Sequence, residues 1–349
     1  MTNTKELLQA VESLKKLSDN GFVQFDLNKL IITGKNKKFY SEICVNGIGQ
    51  LDDWYSLIDI EKFLKNCNSN SVKLTEEGLK AIDNNRSINL NKKRLDGQVL
   101  FQKYKSLFIT IKKEYIKKLF YVKDEKNPIR YNNNVNIEVF KNEINFTKTD
   151  GKCLVTINEK VKTDIDDISK QIDAKFLDNG KIVFNLCDIL NIIDTKNDIE
   201  VYTTEDKEVL CLKQDNVYTY LYNCIDFFPN YHNILPNESD YIECDFTFDK
   251  KTLLNELSFI SKYTSKNESK ILIDIIDNQC KISHKKTVNT SLYCRPDNQV
   301  VLASNINYIL DAVKLIDKKD ITLYLKSDRV CYIKDSNIIY MWMPQIIKD

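Results

Sequence analysis

The stretch NINYILDAVKLIDKKDITLYLKSDRVCYI, residues 305–333, decides the fold because an amphipathic helix in it leads directly into alternating strands. Its apolar pair Ile309 and Leu310 falls at helical spacing, and a strand pattern follows at 321–325. A unit that recurs at about one domain length predicts repeated domains. The other two copies are SLIDIEKFLKNCNSNSVKLTEEG at 56–78, with Phe63 and Leu64, and FNLCDILNIIDTKNDIEVYTTEDKEVLCL at 184–212, with Ile189, Leu190 and a strand at 199–202.

A second helix is predicted about half a domain before each of these units, at 6–17, 112–122 and 251–263. In the last of them Leu253, Leu257 and Ile260 form an apolar stripe. The opposite face carries the polar side chains Lys251, Asn255, Ser258 and Lys262. Period-two stretches at 135–149 and 270–283 predict antiparallel hairpins with Asn/Asp turns. Each domain is therefore expected to be α+β, with two helices packed on antiparallel sheets.

The bulk composition is that of a folded chain of several domains. The 349 residues, 42% of them hydrophobic and 29% charged, predict two or three domains, and the repeat favours three. The N-terminal segment has an amphipathic pattern, so we expect a cytoplasmic protein. The ten cysteines stand singly and are expected to be reduced, buried thiols. A net charge of +1, from 51 basic and 50 acidic residues, indicates that any DNA contact relies on local patches.

An enzyme is the main rival class, and the motifs do not favour it. Neither His232 nor His284 has a nucleophile or carboxylate at a catalytic spacing, and both are expected to be ordinary surface histidines. The GKNKK run at 34–38 lacks the spacing of a phosphate-binding loop. The acidic residues Asp164, Asp166 and Asp167 are expected to form a solvated turn and no metal site. No catalytic residue, metal or cofactor is predicted.

Three further motifs carry a family resemblance. FFPNYHNILP at 227–236 resembles the F-P-D-Y-x-x-V-L-P linker between the second and third domains of the bacterial DNA polymerase III β subunit, the β sliding clamp. KTDGKCL at 148–154 resembles the A-T-D-G-H-R-L element of the second domain, and YMWMPQII at 340–347 is similar to the closing V-M-P-M-R-L. The segments at 106–120 and 127–135 fit the start of the second domain. The motifs occur in the family's order.

The resemblance implies three clamp domains, at 1–104, 105–238 and 239–349. The first matches only by pattern, because SDNGFVQFDLNKL at 18–30 replaces the usual L-P-I-L-x-N stretch. Inside the motifs Lys152 and Cys153 replace His and Arg, Asn233 replaces a common basic residue, and Gln345 and Ile346 replace Met and Arg. The chain is thus interpreted as a divergent clamp, of the kind that a phage or mobile element encodes, with an altered peptide preference.

In the family, two protomers join head to tail into a ring of six domains around duplex DNA, with sheets outside and helices lining the hole. Such a ring is held by topology, so weak contacts between lysines and phosphates suffice. The alternative for any one of these lysines is an ordinary solvated face. The positions expected to face DNA are Lys16, Lys62, Lys113, Lys117, Lys262, Lys314 and Lys318.

The resemblance also implies a groove in which the polymerase, the clamp loader and other partners insert a short apolar peptide. A cleft of Leu, Ile, Met and Pro side chains suits apolar anchors, and methionines adapt to several ligands. Plain domain packing is the alternative role for the apolar members. The residues of this candidate groove are Thr149, Gly151, Lys152, Leu154, Pro229, Asn233, Ile234, Met341, Met343, Pro344 and Ile347.

Two further expectations follow from this interpretation. Deleting the residues after Tyr340 is expected to abolish peptide binding while leaving the fold and self-association intact. The alternative function is a clamp-like hub or decoy that binds partners without encircling DNA, and the mass in solution distinguishes the two because a ring requires self-association.

Overall fold

The structure is a computed structural model whose chain divides into two compact units. Unit 1 comprises residues 1–113, 164–179 and 188–226, and unit 2 comprises 114–163, 180–187 and 227–349. The residues that the structure describes are 2–15, 21–26, 29–33, 39–45, 48, 50–75, 78–82, 86–89, 92–93, 104–122, 134–161, 165–170, 172–178, 181–186, 196–205, 207, 209–215, 217–222, 228–242, 244–265, 268–285, 288–295 and 299–347.

Unit 1 combines short helices with two antiparallel sheets. Its helices are α1 (Thr4–Lys15), α2 (Leu57–Asn66) and α4 (Ile165–Ser169), with a 3₁₀ turn at Ala174–Phe176. Its strands are β1 (Thr2–Asn3), β2 (Phe22–Asp26), β3 (Lys29–Thr33), β4 (Phe39–Cys44), β5 (Leu51–Ser56), β6 (Ser71–Thr75), β7 (Gly78–Ala81), β8 (Ser87–Asn89), β9 (Lys92–Lys93), β10 (Tyr104–Ile111), β14 (Leu177–Asp178), β16 (Ile199–Thr204), β17 (Val209–Gln214) and β18 (Val217–Tyr222).

Unit 2 has the same kind of construction. Its helices are α3 (Lys113–Leu119, whose first residue belongs to unit 1), α5 (Lys250–Ser261) and α6 (Ile306–Leu315), with 3₁₀ turns at His232–Ile234 and Glu238–Tyr241. Its strands are β11 (Val135–Val139), β12 (Glu143–Thr149), β13 (Cys153–Lys160), β15 (Lys181–Leu186), β19 (Asp245–Asp249), β20 (Lys270–Ile276), β21 (Gln279–His284), β22 (Val288–Tyr293), β23 (Val300–Asn305), β24 (Asp320–Tyr324), β25 (Cys331–Asp335) and β26 (Ile338–Trp342).

Each unit contains one long sheet and one four-stranded sheet. In unit 1 the long sheet has the order β10-β16-β17-β18-β4-β3-β2-β5-β9, and the short sheet has the order β1-β6-β7-β8. In unit 2 the long sheet runs β15-β11-β12-β13-β26-β25-β24-β19, and the short sheet runs β22-β21-β20-β23. All of these strand pairs are antiparallel, which confirms the α+β fold class with helices on antiparallel sheets.

The helix predicted at 251–263 shows why the spacing of apolar residues predicts a helix. The side chain of Asp249 caps the start of α5 by accepting a hydrogen bond from Thr252 N at 2.8 Å. The predicted stripe is confirmed, since Leu253, Leu257 and Ile260 are buried. All four residues predicted for the opposite face are exposed.

The two predicted hairpins are also confirmed. Strands β20 and β21 pair with Ile276 opposite Gln279, and the two turn residues Asp277 and Asn278 have φ of 49° and 63°. Asn and Asp tolerate this left-handed region better than other non-glycine residues, which is why they occur in such turns. Strands β11 and β12 form the other hairpin, with Val139 opposite Ile144.

The remaining expectations differ in outcome. Helix α1 begins two residues earlier than predicted, and α3 is shorter than its predicted span because regular helix ends at Leu119. The pair Ile189 and Leu190 lies outside the described residues. The expected burial of the thiols holds for six of the seven described cysteines, with Cys244 half-buried, and none of these seven forms a disulfide. Within the described part of the chain, no helix is long and apolar enough to cross a membrane.

Candidate functional site

The turn at 149–154 is built around the carboxylate of Asp150. Its Oδ1 accepts hydrogen bonds from Lys152 N at 2.8 Å and from Cys153 N at 2.7 Å. The Thr149 hydroxyl donates to Cys153 O at 2.7 Å and accepts from Gly151 N at 3.0 Å. Gly151 has a φ of 87°, a conformation that favours glycine. The T-D-G sequence therefore fixes a rigid turn that presents the exposed Lys152.

The floor of the site is a row of side chains across four strands. Leu154 on β13 lies opposite Met341 on β26, which lies opposite Tyr332 on β25, which lies opposite Tyr324 on β24. Leu154, Met341 and Tyr332 are buried in one apolar cluster, and the rings of Tyr324 and Tyr332 stack with centroids 4.3 Å apart. Met341 and Leu154 are thus held in register by the backbone pairing of β13 with β26.

The chain after β26 runs as an extended tail with exposed apolar side chains. Met343 N donates to Lys152 O at 2.9 Å, and Gln345 N donates to Ala303 O at 2.8 Å. Its exposed large apolar residues are Met343 at 50%, Ile346 at 80% and Ile347 at 46%. The backbone is held by hydrogen bonds while these apolar side chains face solvent.

The N-terminal turn of α6 borders the same region. The hydroxyl of Tyr308 donates to Asp150 Oδ2 at 3.3 Å, and Trp342 Nε1 donates to Ser304 Oγ at 3.0 Å. Asp150, Tyr308 and Trp342 are all buried. The turn at 149–154, the end of β26 and the start of α6 therefore form one rigid substructure.

The linker at 228–236 lies against the floor through its aromatic residues. Tyr231 is buried in the cluster of Leu154 and Met341, and its ring contacts Phe228 edge-on with centroids 6.1 Å apart. The Tyr231 hydroxyl donates to Glu138 Oε2 at 2.5 Å, and His232 Nε2 lies 2.9 Å from the same oxygen. Lys181 completes the set with Nζ 2.5 Å from Glu138 Oε1.

The pKa of Glu138 reflects opposing effects. Burial raises it, whereas hydrogen bonds from Lys181, Tyr231 and His232 lower it, and the net pKa lies below the ordinary value. The same network and burial raise the pKa of the Tyr231 hydroxyl, with burial the larger cause. Glu138 is thus ionised at neutral pH in a compensated buried site.

The lowered pKa of Glu138 predicts a pH-dependent contribution to stability. A carboxylate with a folded-state pKa below its unfolded value stabilises the fold above the unfolded pKa, and this contribution is lost as the pH falls through the folded pKa. We expect Glu138→Gln to be less stable than the wild type above about pH 5, with the difference shrinking as the pH falls below the unfolded-state pKa of about 4.3. Urea unfolding midpoints across this range test it, and a difference that persists at the acid end contradicts it.

The predicted groove residues fall into three groups. Thr149, Leu154 and Met341 are buried, and so they form the turn and the floor. Pro229 and Pro344 are half-buried. The exposed members are Gly151 and Lys152 on the turn, Asn233 and Ile234 on the linker, and Met343 and Ile347 on the tail. The pairing of β13 with β26 brings the turn, floor and tail residues together, and Tyr231 brings the linker to the floor. Their role in binding stays a prediction.

Several residues of the site were missed by the sequence reasoning. Asp150 lies inside the KTDGKCL motif. An aspartate whose side chain accepts a hydrogen bond from the backbone N–H two residues later is a common turn signal. Tyr231 also stood inside a motif. Glu138 and Tyr308 lie far away in sequence from the residues they contact, and no local pattern identifies them.

The lysines expected to face DNA are exposed wherever the structure describes them. Lys62 lies on α2, Lys113 and Lys117 on α3, and Lys314 on α6, while Lys262 directly follows α5. Lys318 is exposed too, but its Nζ lies 2.5 Å from Asp335 Oδ1, so part of its charge is compensated. Lys16 lies outside the described residues. Exposure is compatible with phosphate contact, which stays a prediction.

Two expectations about the residues of the rival enzyme interpretation need correction. His284 is buried, with Nδ1 2.9 Å from Lys270 O, so it is not a surface histidine. His232 is exposed as expected, and its Nε2 lies 2.9 Å from Glu138 Oε2. Asp166 and Asp167 belong to the first turn of α4 and are exposed, with Asp167 paired to Lys170, while Asp164 lies outside the described residues. In the described chain, no group of three or more metal-ligating side chains is arranged to hold a metal ion.

The architecture of both units is that of a DNA clamp. The chain has the fold of the bacterial DNA polymerase III β subunit, and the similarity is with solved structures over nearly its whole length. The β subunit from Thermotoga maritima superposes with a TM-score of 0.77 and 16% identity, over 99% of both chains. The β subunit from Pseudomonas aeruginosa gives 0.77 and 13%, again over 99% of both chains.

A third similar structure is a putative β subunit from Eubacterium rectale, with a TM-score of 0.77 and 14% identity over 99% of this chain and 98% of that one. No protein-family profile matches the sequence. No curated protein matches it either. The similarity in fold therefore extends into the N-terminal part of the chain, where the sequence resembles the family only by pattern.

Proposed function

We propose that this protein is a DNA sliding clamp, a cytoplasmic, non-catalytic processivity factor. Two copies close head to tail into a ring around duplex DNA, and the ring tethers the replicative polymerase and other partners through the candidate groove. The observation that carries the proposal is the match of the whole chain to β subunits at a TM-score of 0.77. A ring held by topology also suits a chain of net charge +1.

The repeat supports closure with a second copy. The strands β10-β16-β17-β18 are followed in their sheet by β4-β3-β2-β5, and β15-β11-β12-β13 are followed by β26-β25-β24-β19. Each long sheet thus joins two four-strand sets through the strands β18 and β4, or β13 and β26. The two four-stranded sheets, β1-β6-β7-β8 and β22-β21-β20-β23, remain. The end strands of these sheets that correspond in the repeat to β18 and β13 are β8 and β22. Pairing β8 of one copy with β22 of another completes the pattern and generates a head-to-tail ring.

Exposed aromatic residues next to β22 support this interface. Phe259 and Tyr263, at the end of α5, contact each other edge-on with centroids 5.3 Å apart and are 42% and 55% exposed. Tyr293, the last residue of β22, is 64% exposed. Aromatic side chains at an open sheet edge are typical of protein interfaces.

We expect the purified protein to form six-lobed closed rings in negative-stain images and to have the mass of two chains in solution. Replacing Phe259 and Tyr263 by Asp places charges in the proposed interface, so the double variant is expected to have the mass of one chain. Ile242→Asp is the matched control, because Ile242 is an exposed apolar residue outside this edge. A wild type that remains a single chain at every concentration contradicts the ring and supports the non-encircling hub.

The groove part of the proposal has its own probe. The sliding clamp of Pseudomonas aeruginosa, with 14% identity, has been solved bound to griselimycin. We propose that the candidate groove takes griselimycin and short peptides with apolar or aromatic anchors. The binding of a fluorescein-labelled pentapeptide of this type, and its competition by griselimycin, test the groove independently of ring formation.

A further inference from the structure

Glu138 is a buried carboxylate that lies outside the candidate groove. It stands on β11, which is separated from the floor strand β13 by β12. Only 3% of the residue is exposed, and it receives Lys181, Tyr231 and His232 within 2.5–2.9 Å. Burying a charge is costly unless it is paired and hydrogen-bonded, so this set of partners makes the carboxylate tolerable.

Two of the three partners belong to the linker. Tyr231 and His232 lie 93 and 94 residues after Glu138 in sequence, whereas Lys181 comes from the neighbouring strand β15. Lys181 supplies a countercharge from within the same sheet. The bonds to Tyr231 and His232 therefore do something further, since they hold the linker in one place on the sheet.

The linker residues bound by Glu138 are connected directly to the groove. The ring of Tyr231 packs in the same cluster as Leu154 and Met341 of the floor. His232 stacks on that ring with centroids 4.3 Å apart and begins the 3₁₀ turn His232–Ile234, which carries the groove residues Asn233 and Ile234. A shift of the Tyr231–His232 pair would displace this wall of the groove relative to its floor.

We propose that Glu138 is a positioning residue for the groove: it holds Tyr231 and His232, and through them the wall formed by Asn233 and Ile234, in the geometry that binds peptide. This inference rests on the proposed peptide-binding function. Glu138 itself touches no peptide. Its effect is preorganisation, which raises affinity by reducing the ordering that binding requires.

The test measures the affinity of the labelled pentapeptide in a double-mutant cycle. Glu138→Gln and Tyr231→Phe are each expected to weaken binding about tenfold, because each weakens the same anchor of the linker. The double variant is expected to bind no more weakly than either single variant, since the two changes act on one contact. Tyr231→Phe keeps the ring in the floor cluster, so it carries the test if Glu138→Gln does not fold.

The matched control is Glu238→Gln. Glu238 lies further along the same segment and pairs with Lys334, but this ion pair is exposed on both sides. Its loss is expected to leave affinity unchanged. Wild-type protein that binds neither the pentapeptide nor griselimycin overturns the proposed groove. Two outcomes overturn the positioning role alone, provided that the wild type binds peptide. In the first, Glu138→Gln and Tyr231→Phe bind with wild-type affinity. In the second, the double variant loses the sum of the two single losses.

Discussion

A chain that carries Met343→Ala and Pro344→Ala is expected to bind the labelled pentapeptide about 30-fold more weakly than the wild type, the loss typical of a binding hot spot. The side chain of Met343 is half-exposed while its backbone is fixed by the hydrogen bond from Met343 N to Lys152 O. It is therefore presented in a defined position with about half of its surface left accessible by the fold. Fluorescence anisotropy titrations measure the effect.

The fold is expected to survive this double substitution, because both side chains are at least partly exposed. The unfolding midpoint and the mass in solution should remain those of the wild type. Ile346→Ala is the matched control, since Ile346 lies on the same tail, is 80% exposed and is outside the candidate groove. Wild-type affinity in the double variant, or an equal loss in Ile346→Ala, contradicts the assignment of Met343 and Pro344.

A deletion is a less suitable test than the sequence alone indicates. Removing everything after Tyr340 was expected to leave the fold intact, and this expectation is wrong. Met341 and Trp342 are buried residues of β26, paired with β13 on one side and with β25 on the other. A deletion that tests the groove must therefore begin at Met343.

The parts of the fold that could be predicted are those that local sequence patterns determine. The stripe of α5 follows from the spacing of Leu253, Leu257 and Ile260, and the hairpin of β20 and β21 follows from Asp277 and Asn278. The order of helix and strand in the copies at 56–78 and 305–333 is local as well. The turn, linker and tail of the candidate groove were identified by resemblance, and strand pairing explains why the turn and the tail meet.

The parts that could not be predicted depend on contacts between distant residues. Lys148 has the sequence context of an ordinary surface lysine, yet it is 1% exposed and its Nζ donates to Val122 O at 2.8 Å. The partners of Glu138 come from β15 and the linker, and the partner of Asp150 on α6 is 158 residues away. Buried polar groups of this kind become recognisable only when the strand order is known.

Trp342→Ala is expected to destabilise unit 2 by about 3–5 kcal/mol, the usual cost of removing a large buried aromatic side chain. Trp342 is 1% exposed and lies between Cys153 on β13 and Cys331 on β25. Its Nε1 also donates to Ser304 Oγ, which links the sheet to the start of α6. The substitution therefore removes packing and a buried hydrogen bond at the centre of the long sheet.

Hydrogen–deuterium exchange measures this effect unit by unit. In Trp342→Ala the amides of β13, β25 and β26 are expected to exchange faster, whereas those of β16 and β17 in unit 1 keep their wild-type rates, because stability is not uniform across a structure. Ser304→Ala separates the contributions: it removes only the hydrogen-bond acceptor and should cost about 1–3 kcal/mol. Exchange that accelerates equally in both units would show that they unfold as one, and unchanged exchange in β13 would show that Trp342 does not support the floor of the groove.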